Sequence, residues 1–216
     1  MNNKISVVLP FSDSFLDYPD NESLAIIVYT CGCEHDCPYC HNPQFQYAVN
    51  GTSLTYQDFE SRILEALYKA KTNKLVFSGG DPLFHISVTF IKTFLEKHKK
   101  SIDVCIYTGY SIDYVKKLGV TGYKFIKCEK YCNELKQSTD KTDDVFILAS
   151  KNQKLYNSKN KLISKDGLYK FGGYTWKSRL ILMFLMLKKT IQPHLKYNPI
   201  YKILRLLSKK LKQLVH

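Results

Sequence analysis

Cys33, Cys37 and Cys40 form a C-x3-C-x2-C array directly after the apolar run of residues 24–29. Thiols so close on one short segment either surround a shared centre or serve no common purpose. An iron–sulfur cube normally takes four cysteine ligands. A cube held by three has one iron open to another molecule, and chemistry would take place there. The alternative from the array alone is structural zinc, with Cys31, His35 or His41 as fourth ligand, or with the Cys128-x3-Cys132 pair contributing.

The array sits in an alternating pattern. Residues 24–30 (LAIIVYT), 74–78 (KLVFS), 104–108 (VCIYT) and 122–127 (GYKFIK) are short, β-branched or aromatic, and predict strands. Between them, 55–71 has Phe59, Ile63, Leu64 and Leu67 at helical spacing, with Thr55 and Asp58 placed to cap its start. Residues 86–99 and 111–118 predict two more helices. Strand–helix alternation implies an α/β fold with a parallel sheet. The cysteine loop, SGGDP and YTGY then follow strands one, two and three, on the strand-end face where parallel folds place their sites. By itself Gly-Gly-Asp-Pro is a turn sequence. Directly after a strand and downstream of the cysteine loop, Gly79 and Gly80 instead suggest a close backbone approach to a ligand.

At 216 residues the chain fits one domain with an appendage. The net charge of +13 is uneven: residues 167–216 hold eleven Lys or Arg and no Asp or Glu. The expected division is therefore a body, 1–173, and a basic tail, 174–216. Residues 174–187 and 199–215 of the tail predict helices separated by Pro193 and Pro199. Ile200, Ile203, Leu204, Leu207, Leu211 and Leu214 form one stripe among basic residues. Such a stripe can pack on its own domain or a partner, lie on an anionic membrane surface, or contact nucleic acid; stable nucleic-acid binding is not expected. No secretory leader is expected, because residues 2–6 are polar and Pro10, Ser12 and Asp13 break the next apolar run. No apolar run approaches the ~20 residues of a membrane span. Seven cysteines without a leader favour the reducing cytoplasm and metal ligation over disulfides.

The array, with Tyr39 just before its last cysteine, resembles the signature of the radical S-adenosylmethionine enzymes. Ser78-Gly79-Gly80-Asp81-Pro82-Leu83 resembles their GGE-P motif in aspartate form. The run CPYCHNP at 37–43, with SGGDPL and Tyr107-Thr108-Gly109-Tyr110, is similar to the activating proteins of anaerobic ribonucleoside-triphosphate reductase. The similarity runs over residues 5–171. One departure is Cys128-Glu129-Lys130-Tyr131, where a family-like GPY is replaced.

The resemblance implies an incomplete (β/α) barrel of radical SAM type carrying a [4Fe-4S] cluster on Cys33, Cys37 and Cys40. It implies S-adenosylmethionine contacts from Tyr39, Cys40, His41, Ser78, Gly79, Gly80, Asp81, Tyr107, Thr108 and Gly109, with no further catalytic side chain. Tyr39 would pack near the adenine, and Asp81 or nearby carbonyls would accept from the methionine ammonium. The implied reaction is reductive cleavage of S-adenosylmethionine and hydrogen abstraction from a glycine of the anaerobic reductase. A flavodoxin- or ferredoxin-type protein would supply the electron. The alternatives are activation of a pyruvate formate-lyase type enzyme, a small-molecule radical enzyme such as 7-carboxy-7-deazaguanine synthase, and, outside enzymes, a zinc-stapled nucleic-acid-binding module.

The remaining residues have plainer readings beside these. Tyr107 and Tyr110 also suit a strand end with core tyrosines. His41 and Asn42 suit supporting or loop-capping roles. His35 is expected to be exposed, Cys31 to end a strand, and Cys105 to lie in the core. Cys128 and Cys132, one helical turn apart, could contribute to a second metal centre.

Overall fold

The computed structural model describes residues 4–20, 24–137 and 145–170. The expected tail, with its two helices, lies outside the described residues. The described chain runs β1 (Ile5–Val7), β2 (Ser12–Ser14), β3 (Ala25–Thr30), β4 (Thr52–Leu54), α1 (Tyr56–Ala70), β5 (Lys74–Gly79), α2 (Val88–His98), β6 (Asp103–Tyr107), α3 (Ile112–Lys117), β7 (Phe125–Cys128), β8 (Val145–Ile147), β9 (Lys154–Asn157) and β10 (Leu168–Lys170).

The four strands and three helices expected from periodicity are present, and their starts have local causes. Thr55 caps α1 by accepting from the Asp58 N–H, and Ser111 caps α3 by accepting from the Tyr114 N–H. Phe59, Ile63 and Leu67 form the buried stripe of α1, one turn apart. Strands β3, β5, β6 and β7 pair in parallel in that spatial order. Antiparallel strands, which the periodicity did not reveal, complete the sheet. β1 and β2 both pair with β3, β4 pairs with β1, and β9 pairs with β7. β8 and β10 make a separate two-stranded sheet. The architecture is therefore mixed α/β around a largely parallel centre.

Alternation along the parallel strands divides the interior. Ile26, Val28, Leu75, Phe77, Val104, Ile106 and Ile126 face the helices and join Phe59, Phe90 and Phe94 in the main core. The opposite face carries Ala25, Ile27, Val76 and Cys105 under Tyr18, with Tyr29, Tyr107 and Phe125 at its border. Phe146, Leu148 and Leu155 pack over Tyr107 and Phe125. Both faces of the central strands are thus covered, which explains their near-continuous apolar sequences. Among the described residues no helix is long and apolar enough to cross a membrane.

Candidate functional site

The strand ends of β3, β5, β6 and β7 converge on one cavity of about 360 Å³. The cysteine loop forms one wall. It has no regular secondary structure, and backbone bonds hold its ends: Gly32 N–H to the Phe45 carbonyl at 2.9 Å and Cys33 N–H to the Gln46 carbonyl at 3.0 Å. The Cys40 N–H bonds the Cys37 carbonyl at 3.2 Å, closing a turn between the second and third thiols. Asp36 and Tyr39 adopt left-handed φ values of 47° and 58°. Non-glycine residues held this way cost of order 1 kcal/mol each and persist where their surroundings over-determine them.

Cys33, Cys37 and Cys40 are all half-buried and line the cavity, as do His41 and Asn42. Burial pushes the Cys33 thiol up to about 11; the Asp81 charge adds to this, and the His35 N–H works against it. Cys37 is raised by burial, against a hydrogen bond from the Tyr131 N–H and the positive charges of Lys130 and Lys127. Such thiols become thiolate ligands when a metal supplies the compensating charge.

Ser78, Gly79 and Gly80 form the β5 wall. A Cβ on Gly79 would stand 2.3 Å from the Thr30 carbonyl oxygen, and one on Gly80 would stand 2.5 Å from the Gly32 and Phe45 oxygens. The two glycines therefore let β5 press against the root of the cysteine loop. Tyr107, Thr108 and Gly109 of the β6 end also line the cavity, and Asp17 and Tyr29 complete its lining from the N-terminal segment and β3. Lys127 enters from β7, with its Nζ 4.8 Å from the centre of the Tyr107 ring. Burial lowers its affinity for a proton, while Asp81 and neighbouring thiols act in the opposite sense.

One residue sits differently from the sequence expectation. His35 is not exposed: its side chain is 7% accessible, and Nε2 lies 2.6 Å from Asp81 Oδ2. Tyr39 is 76% exposed and takes its left-handed φ of 58° just before the third thiol. Asp81 is 1% exposed and accepts from Leu83 N–H, Thr108 Oγ1, Gly109 N–H and His35. Its carboxylate is thus committed to neighbouring loops. The Thr108 hydroxyl is likewise turned to Asp81.

The other cysteines separate cleanly. Cys105 is buried as expected, and Cys31, also buried, directly follows the end of β3. Cys128 is buried in the main core at the end of β7, whereas Cys132 lies in the following loop and donates to Glu134, so the two do not share a helical turn. None of the seven cysteines is in a disulfide. Among the described residues no three His, Cys, Asp or Glu side chains gather around a single metal-ion position. The three thiols of the array line the cavity.

The loop after β7, which sequence reading left without a role, clasps the cysteine loop. Lys130 Nζ donates to the His35 carbonyl at 3.2 Å, and the Tyr131 ring lies 6.0 Å from His41. Lys127, Lys130 and Tyr131 carried no distinguishing spacing; only the inward alternation of β7 could have marked Lys127.

Comparison with known proteins agrees with this geometry. The "Anaerobic ribonucleoside-triphosphate reductase-activating protein" of Haemophilus influenzae is 28% identical over 102 residues, covering 45% of this chain and 65% of the relative. The protein of the same name from Enterobacteria phage T4 is 24% identical over 110 residues, covering 50% and 70%. A "Pyruvate formate-lyase-activating enzyme" of Staphylococcus aureus is 29% identical over 94 residues, covering 42% and 37%. The chain thus spans roughly two thirds or less of the length of most such relatives. The family described as "4Fe-4S single cluster domain" matches residues 22–165, from β3 and the cysteine loop through β9. That match takes in well over half of the sequence, and the chain belongs to this 4Fe-4S single cluster family.

Proposed function

We propose that this chain is a radical S-adenosylmethionine activase that forms a glycyl radical on anaerobic ribonucleoside-triphosphate reductase. The observation that carries the reading is that three cysteine thiols and the Ser78, Gly79 and Gly80 backbone line one cavity. Its volume falls in the ~300–1,000 Å³ range of small-molecule sites.

The residues fit a four-iron cluster. Cys33, Cys37 and Cys40 would hold it, leaving one iron without a protein ligand. The His35 N–H points to Cys33 Sγ at 3.5 Å, and the Tyr131 N–H bonds Cys37. Hydrogen bonds to cluster sulfurs are one of the protein's levers on potential, and Lys127 and Lys130 offset negative charge nearby. The amino-acid end of S-adenosylmethionine would meet Ser78, Gly79 and Gly80, and its remainder would lie along Cys40, His41, Tyr107 and Gly109. Asp81 and Thr108 would act by holding that wall, and Tyr39 by shaping the turn beneath the third thiol. When bound, the two cofactors supply reductive cleavage of the C5′–S bond and hydrogen abstraction by the 5′-deoxyadenosyl group.

The parallel centre has four strands, so we read the sheet as an incomplete barrel of radical SAM type. A barrel left open admits a protein loop in place of an enclosed small molecule. Glycine suits such a target, because its Cα radical is stabilised by both flanking amides. The names of the Haemophilus and phage relatives support the reductase as that target. A flavodoxin- or ferredoxin-type donor would supply the electron. The Staphylococcus relative supports a second reading, a pyruvate formate-lyase type target.

Anaerobic reconstitution with iron and sulfide, followed by dithionite and S-adenosylmethionine, should yield 5′-deoxyadenosine. Each candidate partner is then added, and the resonance of a glycyl radical is sought by electron paramagnetic resonance. Protein that holds no iron, or never cleaves the nucleotide, would sink the proposal. A radical on pyruvate formate-lyase alone selects the second reading.

A further inference from the structure

His35 lies in the middle of the spacer between Cys33 and Cys37, yet its side chain is almost fully buried. Its Nε2 stands 2.6 Å from Asp81 Oδ2. A carboxylate offers only acceptors, and Asp81 also receives the Leu83 N–H, the Thr108 hydroxyl and the Gly109 N–H. The imidazole must therefore donate from Nε2. Its ring meets the Tyr110 ring edge-on, with centroids 4.4 Å apart. Gly109 makes the space: a Cβ there would stand 2.4 Å from His35 Cδ2. The adjoining Glu34 accepts from the Tyr110 hydroxyl at 2.5 Å. Each part of Thr108-Gly109-Tyr110 thus receives the cysteine spacer or the carboxylate that anchors it.

We infer that His35 is a positioning residue. Through Asp81 it fixes the segment between Cys33 and Cys37 relative to the β5 and β6 loops, and so sets where a cluster sits relative to Ser78, Gly79 and Gly80. This rests on the reading that a cluster and S-adenosylmethionine share the cavity. The three thiols remain when His35 is removed, so the loop still wraps its cluster. What is lost is the register between that cluster and the nucleotide-binding wall.

The test compares wild type, His35→Ala, His35→Gln and Gly109→Ala after anaerobic reconstitution. Iron and sulfide per chain are measured, and S-adenosylmethionine is titrated against the resonance of the reduced cluster. His35→Ala is expected to keep its iron and sulfide but to need about tenfold more S-adenosylmethionine for the same spectral change, a typical effect of disturbing the outer shell of a metal site. His35→Gln, whose amide can still donate to Asp81, should recover most of that loss. Gly109→Ala crowds the ring from the other side, but Gly109 also lines the cavity, so the decision rests on the His35 variants. Should His35→Ala fail to fold, a His35→Gln protein that itself needs about tenfold more S-adenosylmethionine than wild type overturns the inference. The inference is overturned if His35→Ala titrates like wild type, if it loses its cluster outright, or if Gln rescues nothing. A wild-type protein that loads iron but shows no response to the nucleotide removes the proposed function, and this inference with it.

Discussion

The helix layer and the loop face of the sheet each have a carboxylate hub, in contrasting settings. On the helix layer, Glu60 of α1 accepts from the Tyr56 hydroxyl and from Lys97 and His98 of α2, with its side chain 13% exposed. Beneath it, Phe59, Phe77, Phe90 and Phe94 already lock the helices to the sheet. On the loop face, Asp81 is buried and draws together donors 27 and 46 residues away in sequence. The loops there also pack, Leu83 in the main core and Tyr110 against it, but the cysteine spacer reaches β5 and β6 through His35, Asp81 and the ring of Tyr110. One hub sits on a layer joined within α1 and α2, and the other joins loops distant in sequence, so the same chemical change should have different consequences in the two.

The largest effect belongs to the thiols. Cys37→Ala should abolish both cluster absorbance and 5′-deoxyadenosine formation, whereas Cys105→Ala, in the core of the opposite sheet face, should leave both largely intact. Equal losses in the two variants would break the distinction between cavity and core cysteines. Next comes the helix layer itself. Phe77→Ala should cost roughly 3–5 kcal/mol in chemical denaturation, while iron bound per folded chain stays unchanged. Loss of iron from the folded fraction would show that the two regions are not separable.

What the sequence revealed divides along the same line. The four parallel strands, the three helices and the Thr55 cap were legible because periodicity and capping are local. The cysteine loop, SGGDP and YTGY were legible as one face because they follow successive strands. β1, β2, β4, β8 and β10 are three residues long, too short for a period to register, and only their partners define them. His35 escaped notice because nothing local to it encodes an approach to Asp81, 46 residues on. Asp81 was legible as important and not as a hub, since its donors come from three separate loops. Lys127 looked like one more strand lysine until the pairing of β7 turned it toward the cavity.

Asp81→Asn sharpens the contrast between the hubs. The amide retains the shape but brings donors where Leu83, Thr108, Gly109 and His35 already donate, so at least one buried donor loses its acceptor. A cost of about 2 kcal/mol is expected, together with weaker response of the cluster to S-adenosylmethionine. A variant as stable as wild type would mean that the loops hold together without the carboxylate.

Glu60→Gln should have the smallest effect, about 1 kcal/mol or less at neutral pH. Burial alone would raise the Glu60 carboxyl, but hydrogen bonds from Lys97, His98 and Tyr56 outweigh it and hold the group below its ordinary value of 4.5. A carboxylate depressed by folding adds stability that is fully present above that ordinary value and is lost as the pH falls through the folded one. The gap between wild type and Glu60→Gln should therefore be constant from neutral pH down toward 4.5 and close below it. Urea unfolding across that range reads the gap directly. A gap that persists in acid would mean that Glu60 joins the helices by shape rather than by charge, and the helix layer would then owe nothing to its carboxylate hub.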